Sequence, residues 1–260
     1  MLNTNLSIAV FQQDIIWEKT IDNLKKIESY LKKIQQKVDL LILPEMFHAG
    51  FTMNPARVAE KPDGTVFQWM NYIAEHYHLS ILGSVVVEEE GRYFNRLFVV
   101  HESGKWEKYD KRHLFRMGGE NEKYYPGNQR LIFKFKGWSI CPLICYDLRF
   151  PVWSRGHNDY DLLVYIANWP DSRSEVWKTL LKARALENQA YVIGVNRVGS
   201  DGSNGYAGDS LVYNARGECL LDFEKKKEAM KIVQLDLDSL VKFREKFPVW
   251  RDADVFDIKY

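Results

Sequence analysis

Short unbroken apolar runs alternate with amphipathic stripes along this chain, and that alternation restricts it to layered α/β architectures. Val38-Asp39-Leu40-Leu41-Ile42-Leu43 is one such run, of the kind that a strand covered on both faces requires, and Pro44 ends it. Ahead of it, residues 18–37 carry Ile21, Leu24, Ile27, Leu31 and Ile34 at steps of three or four, which predicts a helix with one apolar face. With a first strand over 6–11, the chain opens strand–helix–strand. A second helix over 66–78 and strands over 81–87, 93–101 and 106–109 follow, the first two joined by a charged turn at Glu90-Gly91. The second half repeats the theme. Strands fall over 131–135 and 138–144, a short helix starts at Pro151, and a strand over 162–167 precedes a helix over 175–189. Further strands cover 191–198, 208–214, 219–223 and 231–235. Each half thus begins strand–helix–strand and continues in hairpin-like strands. The pattern predicts two mixed sheets with helices on their outer faces, a four-layer α-β-β-α sandwich. No linker or low-complexity tract interrupts 1–260, so one domain is expected, ending in a helix and tail over 236–260.

Composition excludes several function classes. The 36 basic residues nearly cancel the 35 acidic ones, leaving a formal charge of +1, whereas nucleic-acid binding demands a basic face. No apolar run reaches the roughly 18 residues that a membrane span needs, and the start, Met1-Leu2-Asn3-Thr4-Asn5, lacks the features of a secretory leader. Cys141, Cys145 and Cys219 form an odd set without CxxC spacing, which suggests neither a disulfide framework nor a zinc knuckle. A cytoplasmic location is the economical expectation. His76 and His78 stand two apart and so face different sides of a helix, unlike a zinc-binding His-x3-His pair.

Three polar residues stand where strands are expected to end: Glu45 after Leu43-Pro44, Lys111 after Tyr109-Asp110, and Cys145 after Leu143-Ile144. Carboxyl ends of strands form the ligand crevice of α/β sheets, so residues from separate strands can meet there. A thiol, a carboxylate and an ammonium together suit nucleophilic attack on a carbonyl: a base activates the thiol and a cation receives the oxyanion. The N–H of Tyr146 is a candidate second oxyanion donor. By residue type alone, a cysteine at a strand end is equally a packing residue, and loop charges are equally solvated surface. Cys141 and Cys219, inside apolar strands, read as packing residues.

Longer strings around these positions narrow the choice. Leu43-Pro44-Glu45-Met46-Phe47, Tyr109-Asp110-Lys111-Arg112-His113-Leu114-Phe115 and Ile144-Cys145-Tyr146-Asp147-Leu148-Arg149-Phe150-Pro151 resemble, in order, the signatures of the nitrilase (carbon–nitrogen hydrolase) family. Ala167-Asn168-Trp169-Pro170 and Arg184-Ala185-Leu186-Glu187-Asn188-Gln189 are similar to later landmarks of that family. The resemblance implies that Glu45 is the general base, Lys111 the intermediate-stabilising cation and Cys145 the nucleophile, with no metal or cofactor. It also implies a second glutamate after the lysine. Spacing to Tyr124-Tyr125-Pro126-Gly127 favours Glu120 over Glu122, to orient Lys111 or hold the attacking water.

Within the family, His113-Leu114-Phe115-Arg116-Met117 and residues 146–155 most resemble the omega-amidase branch. That likeness implies hydrolysis of the terminal amide of 2-oxoglutaramate or 2-oxosuccinamate to the 2-oxo diacid and ammonia through a thioester. A substrate carboxylate wants a planar bidentate donor, for which Arg149 is the first candidate, with Arg116 and Arg173 behind it. Tyr146, Phe115, Met117 and Trp169 are candidate pocket residues. The resemblance further implies a homodimer or larger homo-oligomer, which the tail with Trp250, Phe256 and Tyr260 can serve unless it folds back on its own subunit. Three alternatives stay open: another substrate for the same fold (a nitrile, a carbamoyl-amine or an uncharged amide), a Cys–His dyad using His113, and a non-catalytic small-molecule-binding protein.

Overall fold

In the computed structural model, which describes residues 5–258, β1 (Asn5–Gln12) shows why the chain folds into layers. Its alternate side chains serve two cores. Leu6, Ile8 and Val10 enter the core between two sheets, whereas Ala9 and Phe11 face a second core with the helices, as the two-residue period of a strand dictates. α1 (Thr20–Leu31) covers that outer face with Leu24, Ile27 and Leu31. It is shorter than the predicted 18–37, because beyond Leu31 only Ile34 interrupts a polar run and little apolar face remains to bury. Ile21, expected in the stripe, is instead exposed.

β2 (Leu40–Ile42) and β3 (Ser80–Glu89) lie parallel beside β1, with α2 (Thr65–His76) crossing between them on the outer layer. β4 (Arg92–Val100) and β5 (Trp106–Asp110) continue the sheet antiparallel. Glu90 and Gly91, at the β3–β4 turn, both have positive φ, the conformation whose twist matches a tight hairpin.

The second sheet has the same order of senses. After the one-turn helix α3 (Glu120–Lys123), β6 (Phe133–Phe135) pairs antiparallel with β7 (Trp138–Ile144). Following the one-turn helix α4 (Pro151–Ser154), β8 (Leu162–Ala167) pairs parallel with β7. α5 (Ser174–Asn188) then leads to β9 (Tyr191–Asn196), parallel to β8. The strand expected over 191–198 breaks at Arg197. A separate two-stranded ribbon, β10 (Val198–Ser200) and β11 (Gly205–Ala207), intervenes before β12 (Leu211–Tyr213) and β13 (Cys219–Asp222) close the sheet antiparallel. β14 (Ala229–Asp236) returns to pair antiparallel with β1, and α6 (Leu237–Lys246) follows, capped by the Asp236 carboxylate accepting from the N–H groups of Asp238 and Ser239.

Two six-stranded mixed sheets therefore pack face to face between helical layers, as the sequence predicts. Cys141 is buried in β7, but Cys219 is exposed on the edge strand β13, so its packing assignment does not hold. Phe247 and the tail beyond it run over the same subunit: the Phe247 carbonyl accepts from Gln189 Nε2, and Phe256 lies against His157. Tyr260 lies outside the described residues. No helix in the described residues is long and apolar enough to cross a membrane.

Candidate active site

Two strand ends supply the opposing walls of the site. β2 runs into Pro44, and Met46, with φ +46°, turns the chain sharply so that the Glu45 carboxylate faces inward. Phe47 anchors this turn against β3 at Gly83, where a Cβ would stand 2.7 Å from the Phe47 ring. The Met46 N–H donates to Ser84 Oγ. Across the sandwich β7 ends at Cys145, whose φ of +45° begins a 3-10 turn, Cys145–Arg149. Non-glycine residues in this region store strain that the surroundings must hold. Here the Asp147 carboxylate holds the turn, accepting from the Ile144 N–H, the His113 N–H, His113 Nδ1 and Tyr109 Oη. Arg184 of α5 fixes the far side by donating to the Leu148 carbonyl.

Lys111 follows β5, and Gly127 passes so close to this strand end that a Cβ there would stand 2.2 Å from the Asp110 carbonyl oxygen. The ammonium is fully buried and donates to Glu45 Oε1 at 2.9 Å and to both Glu120 oxygens at 3.0 and 2.9 Å. Glu120, also fully buried, accepts the Phe115 N–H at 2.6 Å. Glu45 Oε1 accepts in addition from Asn95 Nδ2 at 2.8 Å, and Oε2 from the Asn168 N–H at 2.8 Å. Asn168 Nδ2 donates to the Glu45 carbonyl, while the Cys145 sulfur lies 4.0 Å from the Asn168 carbonyl oxygen. Glu45, Lys111, Glu120 and Cys145 thus converge, bridged by Asn95 and Asn168.

Electrostatics in this group follow from burial. Desolvation acts against the Lys111 ammonium, yet Glu120 and Glu45 outweigh it and hold the proton firmly. Burial pushes the Glu120 carboxyl up, against the opposing pull of Lys111. Burial, reinforced by the Glu45 charge, raises the Cys145 thiol well above its ordinary range, with Lys111 opposing. The surroundings thus favour the thiol over the thiolate. A thiol in such a place acts as a nucleophile only when an adjacent base takes its proton.

The sulfur opens into a cleft of about 750 Å³. Phe115, Met117, Tyr146, Arg149, Trp169 and Arg173, all named from sequence, line it, but Arg116 does not: it sits exposed in the turn Arg116–Gly118. Arg149 lies over the Trp169 ring at 5.2 Å and Arg173 over the Phe115 ring at 5.4 Å. Neither forms an ion pair within the described residues, in contrast to Arg96 with Glu89 and Asp110. His113 does not line the cleft: its Nδ1 is 2.8 Å from Asp147 and its ring stacks on Phe150.

Sequence reasoning missed one whole wall. The β10–β11 ribbon contributes Asp201, Ser203, Asn204 and Tyr206 to the cleft. Against the effect of burial, bonds from Tyr206 Oη and the N–H groups of Ser203 and Asn204 hold the Asp201 carboxyl below its usual range. A polar stretch such as Ser200-Asp201-Gly202-Ser203-Asn204-Gly205 carries only a loop signal. Trp17, Phe51 and Met53 also line the cleft unannounced. No group of three or more His, Cys, Asp or Glu side chains suited to hold a metal ion occurs among the described residues.

Comparison with known proteins gives a consistent picture. Residues 7–245 match the carbon–nitrogen hydrolase family. Omega-amidase YafV of Escherichia coli is 47% identical over 253 residues, 96% of this chain and 98% of that protein. The 2-oxoglutaramate amidase of Bacillus subtilis is 33% identical over 251 residues, 95% of this chain and 96% of that protein. Among solved structures, a carbon–nitrogen hydrolase superfamily protein of Xanthomonas campestris, which carries an arsenic adduct in its active site, superposes with a TM-score of 0.94. It is 37% identical, with 98% of this chain and 99% of that chain covered.

Proposed function

Because the chain belongs to the carbon–nitrogen hydrolase family, a family of enzymes that act on carbon–nitrogen bonds, we propose that it removes the terminal amide of a small 2-oxo acid, 2-oxoglutaramate or 2-oxosuccinamate, through a thioester on Cys145. The observation that carries this proposal is the buried Lys111 ammonium bonded at once to Glu45 and Glu120 beside a cleft that contains Cys145.

In the first half-reaction the Cys145 sulfur bonds to the amide carbon while its proton passes to Glu45. Lys111 Nζ and the Tyr146 N–H, in a first turn whose N–H groups lack helical acceptors, receive the oxyanion. The C–N bond then breaks, and Glu45 returns the proton to the departing nitrogen as ammonia. In the second half Glu45 takes a proton from water, the hydroxide adds to the thioester carbon, and the sulfur leaves with the proton Glu45 gives back. Glu120, with both oxygens on Lys111, holds the ammonium in place. Such a nucleophile must stay reduced, so we place the protein in the cytoplasm; a homodimer or larger assembly is what the family resemblance alone implies.

Arg149 and Arg173 favour the 2-oxo acid over rival amides. Two guanidiniums that lie over aromatic rings and form no ion pair within the described residues can take a carboxylate bidentately, and their charge disfavours a 2-ammonium group in the same place. Ammonia release from 2-oxoglutaramate, glutamine, an uncharged aliphatic amide, a nitrile and a carbamoyl-amino acid tests this. The 2-oxo acid amide is expected to exceed glutamine in kcat/KM by about 100-fold, the scale of a close like-charge contact. Replacing the carboxylate-binding arginine, Arg149→Gln or Arg173→Gln, raises KM for it about 10- to 100-fold while leaving the uncharged amide within about threefold. Faster turnover of a nitrile or carbamoyl compound, or indifference of KM to both arginines, contradicts the substrate assignment.

A further inference from the structure

On β4 the residues facing the inter-sheet core are Leu97 and Val99, and Asn95 continues the same face toward the site. It is fully buried, and its side-chain amide touches both carboxylates. Asn95 Nδ2 donates to Glu45 Oε1 at 2.8 Å and lies 3.4 Å from Glu120 Oε1. Its main-chain carbonyl accepts the main-chain N–H of Lys111 at 3.0 Å. Turning the amide over would set its oxygen against two carboxylates, so the site itself fixes its orientation.

We propose that Asn95 is a positioning residue that fixes the Glu45 carboxylate toward Cys145, so that it is oriented to accept the thiol proton; this rests on Glu45 being the base, as assigned above. The groups facing Glu45 are Lys111 after β5, Glu120 of α3, Cys145 after β7, Tyr124, and the amide and N–H of Asn168. Lys111 is the one cation among these and is shared with Glu120. With both acids ionised the cluster carries a net negative charge in a low-dielectric place, where each donor to the charged form matters. Asn95 supplies the additional neutral donor that both carboxylates share. Without it Glu45 loses one of the donors that orient its carboxylate, and a misdirected carboxylate takes the thiol proton less readily.

The test is a pair of substitutions whose packing and electrostatic consequences run in opposite directions. In Asn95→Ala the donor is lost. At neutral pH kcat falls about 10- to 100-fold with KM within about threefold, the scale of one bond to a charged group. Asn95→Asp keeps the shape but adds a third acid, and kcat falls at least about tenfold below the alanine variant. A purely packing role predicts the reverse order, because alanine leaves a cavity and aspartate does not. Thermal unfolding of each variant establishes that it folds. If Asn95→Ala does not fold, Asn95→Asp measured against the unsubstituted protein carries the test alone.

An aspartate variant as active as the alanine one, with an inactive Glu45→Gln protein alongside, overturns the proposal. An active Glu45→Gln protein overturns the assignment of the base, and this proposal with it.

Discussion

Cys145→Ala is expected to lower turnover of the terminal-amide substrate by about five to six orders of magnitude while leaving substrate affinity within about tenfold. The size of the loss follows from removing the atom that forms the covalent intermediate in the proposed mechanism: without it the remaining oxyanion donors and binding contacts retain only a small residue of catalysis. Affinity survives because the cleft is built by other parts of the chain, including Trp17, Phe51, Trp169, Arg173 and the β10–β11 ribbon. Kinetics of ammonia release and a calorimetric or fluorescence binding measurement on the same protein separate the two quantities. A non-catalytic binding protein gives another result, with the unsubstituted and Cys145→Ala proteins releasing ammonia equally slowly from every amide.

Glu45→Gln comes second, with an expected loss in kcat of about three orders of magnitude or more. General-base action accounts for about two to four orders, and local geometry adds to it. Glu45 Oε1 accepts from Lys111 and Asn95, and Oε2 from the Asn168 N–H. A glutamine there cannot carry the proton, and its NH2 group must face donors whichever way the amide turns. His113→Ala is the control. His113 bonds Asp147 and stacks on Phe150, and Asp147 keeps its bonds from the Ile144 N–H, the His113 N–H and Tyr109 without the imidazole. A loss of no more than about tenfold is expected. A nearly active Glu45→Gln protein beside an inactive His113→Ala protein would establish a cysteine–histidine pair instead.

Layering was legible because the strands buried on both faces leave uninterrupted apolar runs. β8 occupies the residues, 162–167, that its run marks. Boundaries set by tertiary packing were less visible: α1 stops at Leu31 where its apolar face ends, and β9 stops at Asn196, beyond which the fully buried Arg197 donates to the carbonyls of Ile15, Val198 and Ser200. No local pattern announces such long-range anchoring. The edge position of β13 was equally hidden, which is why Cys219 looked like a packing residue.

For the site, motif strings singled out Glu45, Lys111, Glu120 and Cys145, which the fold brings into one cluster from positions far apart in sequence. The groups that hold those four were not legible. Asn95 appears in the sequence only as a polar interruption of the strand Phe94-Asn95-Arg96-Leu97, and Asn168 holds Glu45 through both its main-chain N–H and its side-chain amide, contacts that depend on the fold bringing β8 and β2 together. Arginine candidates show the same division. Proximity to a motif nominated Arg116, Arg149 and Arg173 alike, but whether each faces the cleft depends on turns such as Arg116–Gly118 that spacing does not fix.

The covalent intermediate is the claim on which the rest depends, and rapid acid quenching of the enzyme during turnover, followed by intact-mass and peptide-mass measurement, addresses it directly. The expected result is a species heavier by the substrate mass less ammonia, located on the peptide that contains Cys145 and absent from Cys145→Ala. Steady turnover with no such species while acyl transfer to water is slowed, or an adduct carried by the exposed Cys219 in its place, would contradict the account.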